Sequence, residues 1–227
     1  MYSLVLLSGG TGSRMKQDVP KQYLLLAGKP VILHTLERID GIREIREIVI
    51  VCTSDYVDVL KDMIKQYNIS TEVKFALAGK TRQESVKSGL MQVSKEYVII
   101  HEAARPFVSE QDFKRLIDEP CENAMYGAPI PFTVLKGQEY VEGLLNRSEL
   151  VNVQLPQKFN ASLLKEVHEM AEIEERVFTE DAGMVYYYHP EIKVKICEGM
   201  DYNIKLTTPT DLVVGEIIYK EYFARRK

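Results

Sequence analysis

Short runs of Val, Ile and Leu alternate along this chain with segments whose apolar residues recur at helical spacing, and that alternation restricts the fold more than any other feature. Strand-like runs at 4–7, 47–52, 72–76, 97–101 and 123–129 are separated by helical segments at 31–39, 55–67, 81–93 and 109–117. Asp55 and Ser109 stand where they would cap the second and fourth of these helices. Repeated β-α-β units predict an α/β chain, a mainly parallel sheet covered by helices on both faces through right-handed crossovers. Ligands of such sheets bind beyond the carboxyl ends of the strands, where the strand order reverses. If 97–101 lies beside the first strand, Glu102-Ala103-Ala104-Arg105-Pro106 faces the loop that follows residue 7.

That loop reads Ser8-Gly9-Gly10-Thr11-Gly12-Ser13-Arg14 and leads to Pro20-Lys21-Gln22. Its glycines let backbone amides turn inward around an anion. Arg14 adds a planar fork of donors and Lys21 a mobile point charge, so phosphate is the expected guest. A dinucleotide fingerprint beginning at Gly10 would need glycine at Met15, and a P-loop beginning at Gly9 would need Gly-Lys-Ser/Thr at Arg14, Met15 and Lys16. Neither pattern fits.

Between Pro131 and Pro156 the period changes to short alternating runs around Gly137-Gln138, with further apolar residues near Tyr140 and Val151. A hairpin of this size lacks a core of its own, so a β-arm packed on another subunit or on the sheet is expected. Further on, 161–171 reads as a helix, 193–197 as a strand and 209–222 as a final helix, with Thr208 as its cap and Pro209 at its first position. Lys205, at the end of an extended run just before it, is placed to reach an anion near the sheet edge.

The 227 residues are 45% hydrophobic and carry a formal charge of −4, which supports a substantial core and argues against a general nucleic-acid binder. Cys52, Cys121 and Cys197 are widely spaced, suggesting neither a disulfide framework nor a zinc knuckle and fitting a reducing cytoplasm. No run approaches the ~18 apolar residues of a membrane span, and no export signal is visible. His34, His101, His168 and His189 have no second His or Cys at ligand spacing, so a histidine metal site is not expected. His101 is expected to pack at a strand end, and the acidic run Glu172, Glu174, Glu175, Glu180 and Asp181 to form a solvated face.

The segments Gly9–Met15 with Pro20-Lys21-Gln22, His101-Glu102-Ala103-Ala104-Arg105-Pro106-Phe107, Leu155-Pro156-Gln157, and Asn203-Ile204-Lys205 with Pro209 and Asp211-Leu212 together resemble the sugar-alcohol-phosphate cytidylyltransferases. The resemblance runs in family order over nearly the whole chain and is nearest the branch that acts on 2-C-methyl-D-erythritol 4-phosphate. It implies a single Rossmann-like nucleotidyltransferase domain over 1–227 with a β-arm at about 131–156, a homodimer joined through that arm, and transfer of CMP from CTP with release of pyrophosphate. Arg14, Lys21 and Lys205 would then bind the triphosphate and stabilise the transition state. Ser8, Gly9, Gly10, Thr11, Gly12, Ser13, Gly79, Lys80, Ser85, Glu102 and Ala103 would hold the nucleotide, while Arg105, Thr133, Arg147 and Thr179 would meet the acceptor. Magnesium would bridge the phosphates, with Glu102 the one candidate protein ligand.

Three residues depart from the family pattern: Glu102 replaces the usual aspartate, Phe132 a common aspartate, and Leu155 a threonine. The last two remove polar groups from the expected acceptor side, which leaves ribitol 5-phosphate, an intermediate of cell-surface polymer supply, as a rival acceptor. A non-catalytic nucleotide-binding module is the alternative of another class, and a dinucleotide-dependent reductase is disfavoured by Met15.

Overall fold

A computed structural model describes residues 1–10, Met15 and 19–224. The chain opens with strand β1 (Tyr2–Leu7), followed by a two-residue hairpin, β2 (Leu25–Leu26) and β3 (Lys29–Pro30), and then α1 (Val31–Asp40). Next come β4 (Ile45–Cys52), α2 (Val57–Gln66), β5 (Glu72–Leu77), α3 (Arg82–Leu90), β6 (Tyr97–Glu102), α4 (Glu110–Asp118) and β7 (Ala124–Pro129). A second hairpin, β8 (Leu135–Gly137) and β9 (Val141–Leu144), precedes β10 (Val151–Asn160), α5 (Ala161–Ile173), α6 (Asp181–Tyr188), β11 (Lys195–Glu198) and α7 (Pro209–Ile218).

Seven strands form one sheet in the order β11-β7-β10-β6-β1-β4-β5, with β10 antiparallel to both its neighbours and every other pairing parallel. Side chains alternate across it. Leu4 and Leu6 of β1 join Ile48 and Ile50 of β4 beneath α1, α2 and α4. Val5, Val49 and Val51 point the other way, against Val86 of α3 and Leu164 and Val167 of α5. Burial on both faces explains why the central strands read as unbroken apolar runs. A third cluster, Leu26, Val31, Phe107 and Leu206, seats the first hairpin beside α7.

Local chemistry sets the helix starts. Ser109 and Asp112 form a reciprocal capping box on α4, and Thr208 and Asp211 form one on α7, where Pro209 occupies the first turn. Asp55 does not cap α2: Ser54–Tyr56 close a 3-10 turn, and the helix begins at Val57 without a side-chain cap. The change of period after Pro131 resolves into the β8–β9 hairpin, whereas the apolar run near Val151 opens β10 and pairs with β7 of the main sheet. Among the described residues no helix is long and apolar enough to cross a membrane.

His101 and Glu47 are among the titratable groups buried in this frame. His101 is fully buried, edge-on to Phe113, with Nε2 3.1 Å from the Arg105 carbonyl, so it packs at a strand end as its position suggested. Burial lowers its pKa from 6.5 to about 3. Glu47 is equally enclosed; burial alone would raise its pKa, but bonds from Lys74, Ser3 and Ser94 bring it from 4.5 to about 2. In both cases the unfolded chain takes up a proton that the folded chain refuses, so stability is full above pH 6.5 and is lost as pH falls towards 3 and then 2. Thermal unfolding followed by circular dichroism should show a midpoint that declines steadily below pH 6.5; a flat midpoint from neutrality to pH 4.5 would contradict the buried neutral histidine.

Candidate active site

The strand order reverses at β1, since the chain runs outward through β4 and β5 on one side and returns to β6 on the other. Parallel register sets Leu7 opposite Glu102, so the loop after β1 and the end of β6 share the crevice where ligands of open α/β sheets bind. A cleft of about 480 Å³ opens there.

One wall is the backbone from Ser8 to Gly10. Ser8 donates its N–H to the Val51 carbonyl at 2.8 Å, continuing the sheet for one more bond. The buried Gln22 amide donates to the carbonyls of Ser8 at 2.6 Å and Gly10 at 3.0 Å, pinning the loop from beneath. Tyr23 stacks on Tyr56 at 4.1 Å and its hydroxyl lies 3.3 Å from Ser8 Oγ; burial pushes that phenol to about 12, so it stays neutral. A Cβ on Gly9 would overlap the Ala78 side chain, which makes glycine a steric requirement here.

The opposite wall is the turn into α3. Ser85 Oγ accepts from the Gly79 N–H at 3.1 Å and donates to the Thr81 carbonyl at 2.9 Å, while the Lys80 N–H donates to Glu84 at 2.8 Å. Thr81 caps the helix by accepting from the Glu84 N–H at 3.1 Å. The positive end of the helix therefore opens beside the cleft.

Glu102 forms the floor. Its carboxylate lies 2.9 Å from Lys205 Nζ, 3.4 Å from Arg105 Nε and 3.7 Å from Arg82 Nε. Burial by itself would raise its pKa, but Lys205, then Arg105 and Arg82, hold it below its ordinary value, so it remains charged. Lys205 is delivered by the segment 203–206, which docks through the Leu206 N–H on the Ala104 carbonyl at 2.8 Å.

Of the residues singled out from sequence, Ser8, Gly9, Gly10, Lys21, Gly79, Lys80, Ser85, Glu102 and Lys205 all line this cleft. Thr11, Gly12, Ser13 and Arg14 lie outside the described residues. Ala103 differs from expectation: it is fully buried and its N–H is spent on the Leu7 carbonyl at 3.0 Å, so Ala104 lines the cleft instead. Arg105 sits behind Glu102, donating to the Asn203 carbonyl at 3.0 Å. Thr133, Arg147 and Thr179 are exposed and do not line the cleft; Arg147 donates to the Pro131 carbonyl at 3.0 Å within its own loop. Asp181, read as part of a solvated acidic face, is completely buried.

Gln22 and Arg82 also line the cleft, although the sequence assigned neither a role: Gln22 stands inside the Pro20-Lys21-Gln22 motif and Arg82 between Lys80 and Ser85. A polar residue one position after a phosphate-facing lysine, and an arginine at the first turn of the helix that follows Gly79, were the available signals. No group of three or more His, Cys, Asp or Glu suited to a metal occurs among the described residues. Glu102 already faces three cations, so a hard cation here would draw most of its oxygen ligands from a bound triphosphate and water.

The model of the family described as 2-C-methyl-D-erythritol 4-phosphate cytidylyltransferase (IspD) matches residues 2–221. The chain belongs to this family. It is 38% identical to the chloroplastic 2-C-methyl-D-erythritol 4-phosphate cytidylyltransferase of Oryza sativa subsp. japonica, over 96% of this chain and 74% of that one. It is 37% identical to the enzyme of the same name from Clostridium botulinum strain Langeland, over 96% and 97%. Its fold matches the crystal structure of 4-diphosphocytidyl-2C-methyl-D-erythritol synthase from Anaerococcus prevotii DSM 20548, with a TM-score of 0.85 at 27% identity and 96% of each chain covered. The α/β, Rossmann-like fold with its mainly parallel sheet is thus that of the IspD nucleotidyltransferases.

Gly9→Ala is expected to push the loop off Ala78, destabilising the protein by about 1–3 kcal/mol and weakening nucleoside triphosphate binding at least about tenfold. Calorimetric titration on a variant with native circular dichroism reads this directly, and unaltered affinity would show that the loop does not form the triphosphate wall.

Proposed function

We propose that this IspD family member is a cytidylyltransferase that transfers CMP from CTP to 2-C-methyl-D-erythritol 4-phosphate and releases pyrophosphate, a step of isoprenoid precursor synthesis. The observation that carries the reading is that Lys21 and Lys205 line one cleft with the Gly9–Gly10 backbone, opposite the turn at Gly79 and Lys80. A triphosphate brings about four negative charges, and Lys21 and Lys205 are cations on this cleft placed to meet them.

The acceptor supplies its own nucleophile. A phosphate monoester is largely dianionic at neutral pH, so one of its oxygens attacks the α-phosphorus of CTP while the bond to pyrophosphate breaks, and no side chain needs to remove a proton. Catalysis then consists of alignment and stabilisation of the charge on the five-coordinate phosphorus. Lys21 and Lys205, with Arg14, supply that stabilisation. The turn at Gly79, Lys80 and Ser85 holds the base and ribose. Glu102 is the candidate protein ligand for magnesium, which when bound would supply neutralisation of the phosphate charge.

The acceptor half of the site comes from a second copy of the chain, in which the domain at 1–227 extends its arm at about 131–156. Supporting this, Leu135, Tyr140, Val141 and Leu144 are exposed on the β8–β9 hairpin, an apolar surface that a lone subunit leaves in water. Arg147 of the partner subunit would then grip the acceptor phosphate, with Thr133 and Thr179 near the alcohol. Three free cysteines support work in a reducing cytoplasm.

Pyrophosphate release from CTP should depend on 2-C-methyl-D-erythritol 4-phosphate and be much slower with ribitol 5-phosphate; the opposite order would reassign the acceptor, and inactivity with both would favour a non-catalytic nucleotide-binding module. Lys21→Ala should lower kcat by about 10²–10³-fold at an unchanged melting temperature. Leu144→Asp should yield monomers by light scattering with acceptor turnover lost and CTP binding kept. A monomeric wild type that remains active would refute the shared site.

A further inference from the structure

Behind Glu102 a second line of charges leads away from the cleft. Arg82, the first residue of α3, presents Nε to Glu102 at 3.7 Å and donates from Nη2 to Asp181 Oδ2 at 2.6 Å. Asp181, the first residue of α6, is fully buried, and its other oxygen lies 3.1 Å from His168 Nε2 on α5. His168 is buried as well, and among the described residues its Nδ1 has no hydrogen-bond partner, so the bond to Asp181 is the polar contact that orients the ring. Burial would push the Asp181 carboxyl up, but Arg82 and His168 hold it well below the usual carboxylate range. A buried charged chain of this kind is weak support for stability, because apolar residues of similar volume often serve a core as well or better. Its value lies in where it leaves Arg82.

The guanidinium lies within ion-pair distance of Glu102 and Asp181 and is held more closely by Asp181, the one farther from the cleft. Released from Asp181, its two-nitrogen fork would close on Glu102 in the bidentate geometry that arginine favours with carboxylates. Glu102 would then be drawn from Lys205, which it now holds at 2.9 Å beside the phosphate end of the cleft. We propose that His168 and Asp181 are positioning residues for the cytidylyl transfer argued above, on which this inference rests: they hold Arg82 back from Glu102, so that Glu102 keeps Lys205 in its working place.

Two substitutions separate positioning from packing. His168→Phe keeps the ring and loses the donor, whereas His168→Gln loses the ring and keeps an amide nitrogen near the position of Nε2. The expected result is that His168→Phe lowers kcat about tenfold or more while KM for CTP moves less than about twofold, and that His168→Gln recovers most of kcat even where its melting temperature is lower. Wild-type kcat in His168→Phe, or kcat that simply follows melting temperature in both variants, overturns the proposal. Should His168→Phe fail to fold, Asp181→Asn, which keeps the shape and removes the charge, takes its place, and wild-type kcat in that variant is equally fatal. An inactive wild type would overturn the functional reading and this inference together, whereas an active wild type with an unaltered variant overturns the inference alone.

Discussion

A charged carboxylate buried at the mouth of the sheet is the constraint around which the rest of this site is arranged. Glu102 is 7% exposed, and an isolated carboxylate at that depth would give up its charge. It keeps the charge because Lys205, Arg105 and Arg82 arrive from the segment before α7, from the loop after β6 and from α3. Three parts of the chain far apart in sequence, at residues 82, 102–105 and 205, are thereby fixed to one point, and the sheet register that sets Leu7 opposite Glu102 brings the loop after β1 to the same place. Remove the charge and Lys205 loses the group that holds it, whereas Arg82 keeps Asp181 and Arg105 keeps the Asn203 carbonyl.

This arrangement suits a reaction in which the substrate brings its own nucleophile. Cations held by a buried anion need no reorganisation as charge develops on phosphorus, and preorganisation of that kind is where transition-state stabilisation is gained. The longer glutamate in place of the family's aspartate reaches Lys205 at hydrogen-bond distance while remaining within ion-pair distance of both arginines. The junction in this chain is thus complete with the glutamate.

The frame was legible because parallel strands buried on both faces leave an unmistakable pattern, and because Ser109, Thr208 and Pro209 mark helix starts by chemistry that acts within a few residues. Asp55 misled for the same reason in reverse: a 3-10 turn took up the segment that would have begun the helix. Much of the lining of the cleft was legible from the glycines and lysines singled out in the sequence. What sequence spacing does not encode is which buried groups meet across the fold. Arg82 and Asp181 lie 99 positions apart, and Gln22 acts on carbonyls that any residue at 8 and 10 would supply. Ala103 is the complementary case, a motif residue whose N–H the sheet itself consumes.

The two apolar departures from the family pattern fall in different environments, and that bears on the acceptor. Leu155 is buried in the cluster that contains Val98, Ile100 and Phe159, and its carbonyl accepts from the Asn203 amide at 2.7 Å. A hydroxyl there would face the core of this subunit, so the leucine deprives the described cleft of nothing. Phe132 is 76% exposed on the loop that leads into the β8–β9 hairpin. An aromatic ring left in water at that position gains most by burial against another surface, and in the proposed dimer that surface would be the second copy of the chain. On that proposal, discrimination between alcohol phosphates belongs to the assembled arm rather than to the cleft described in the single chain.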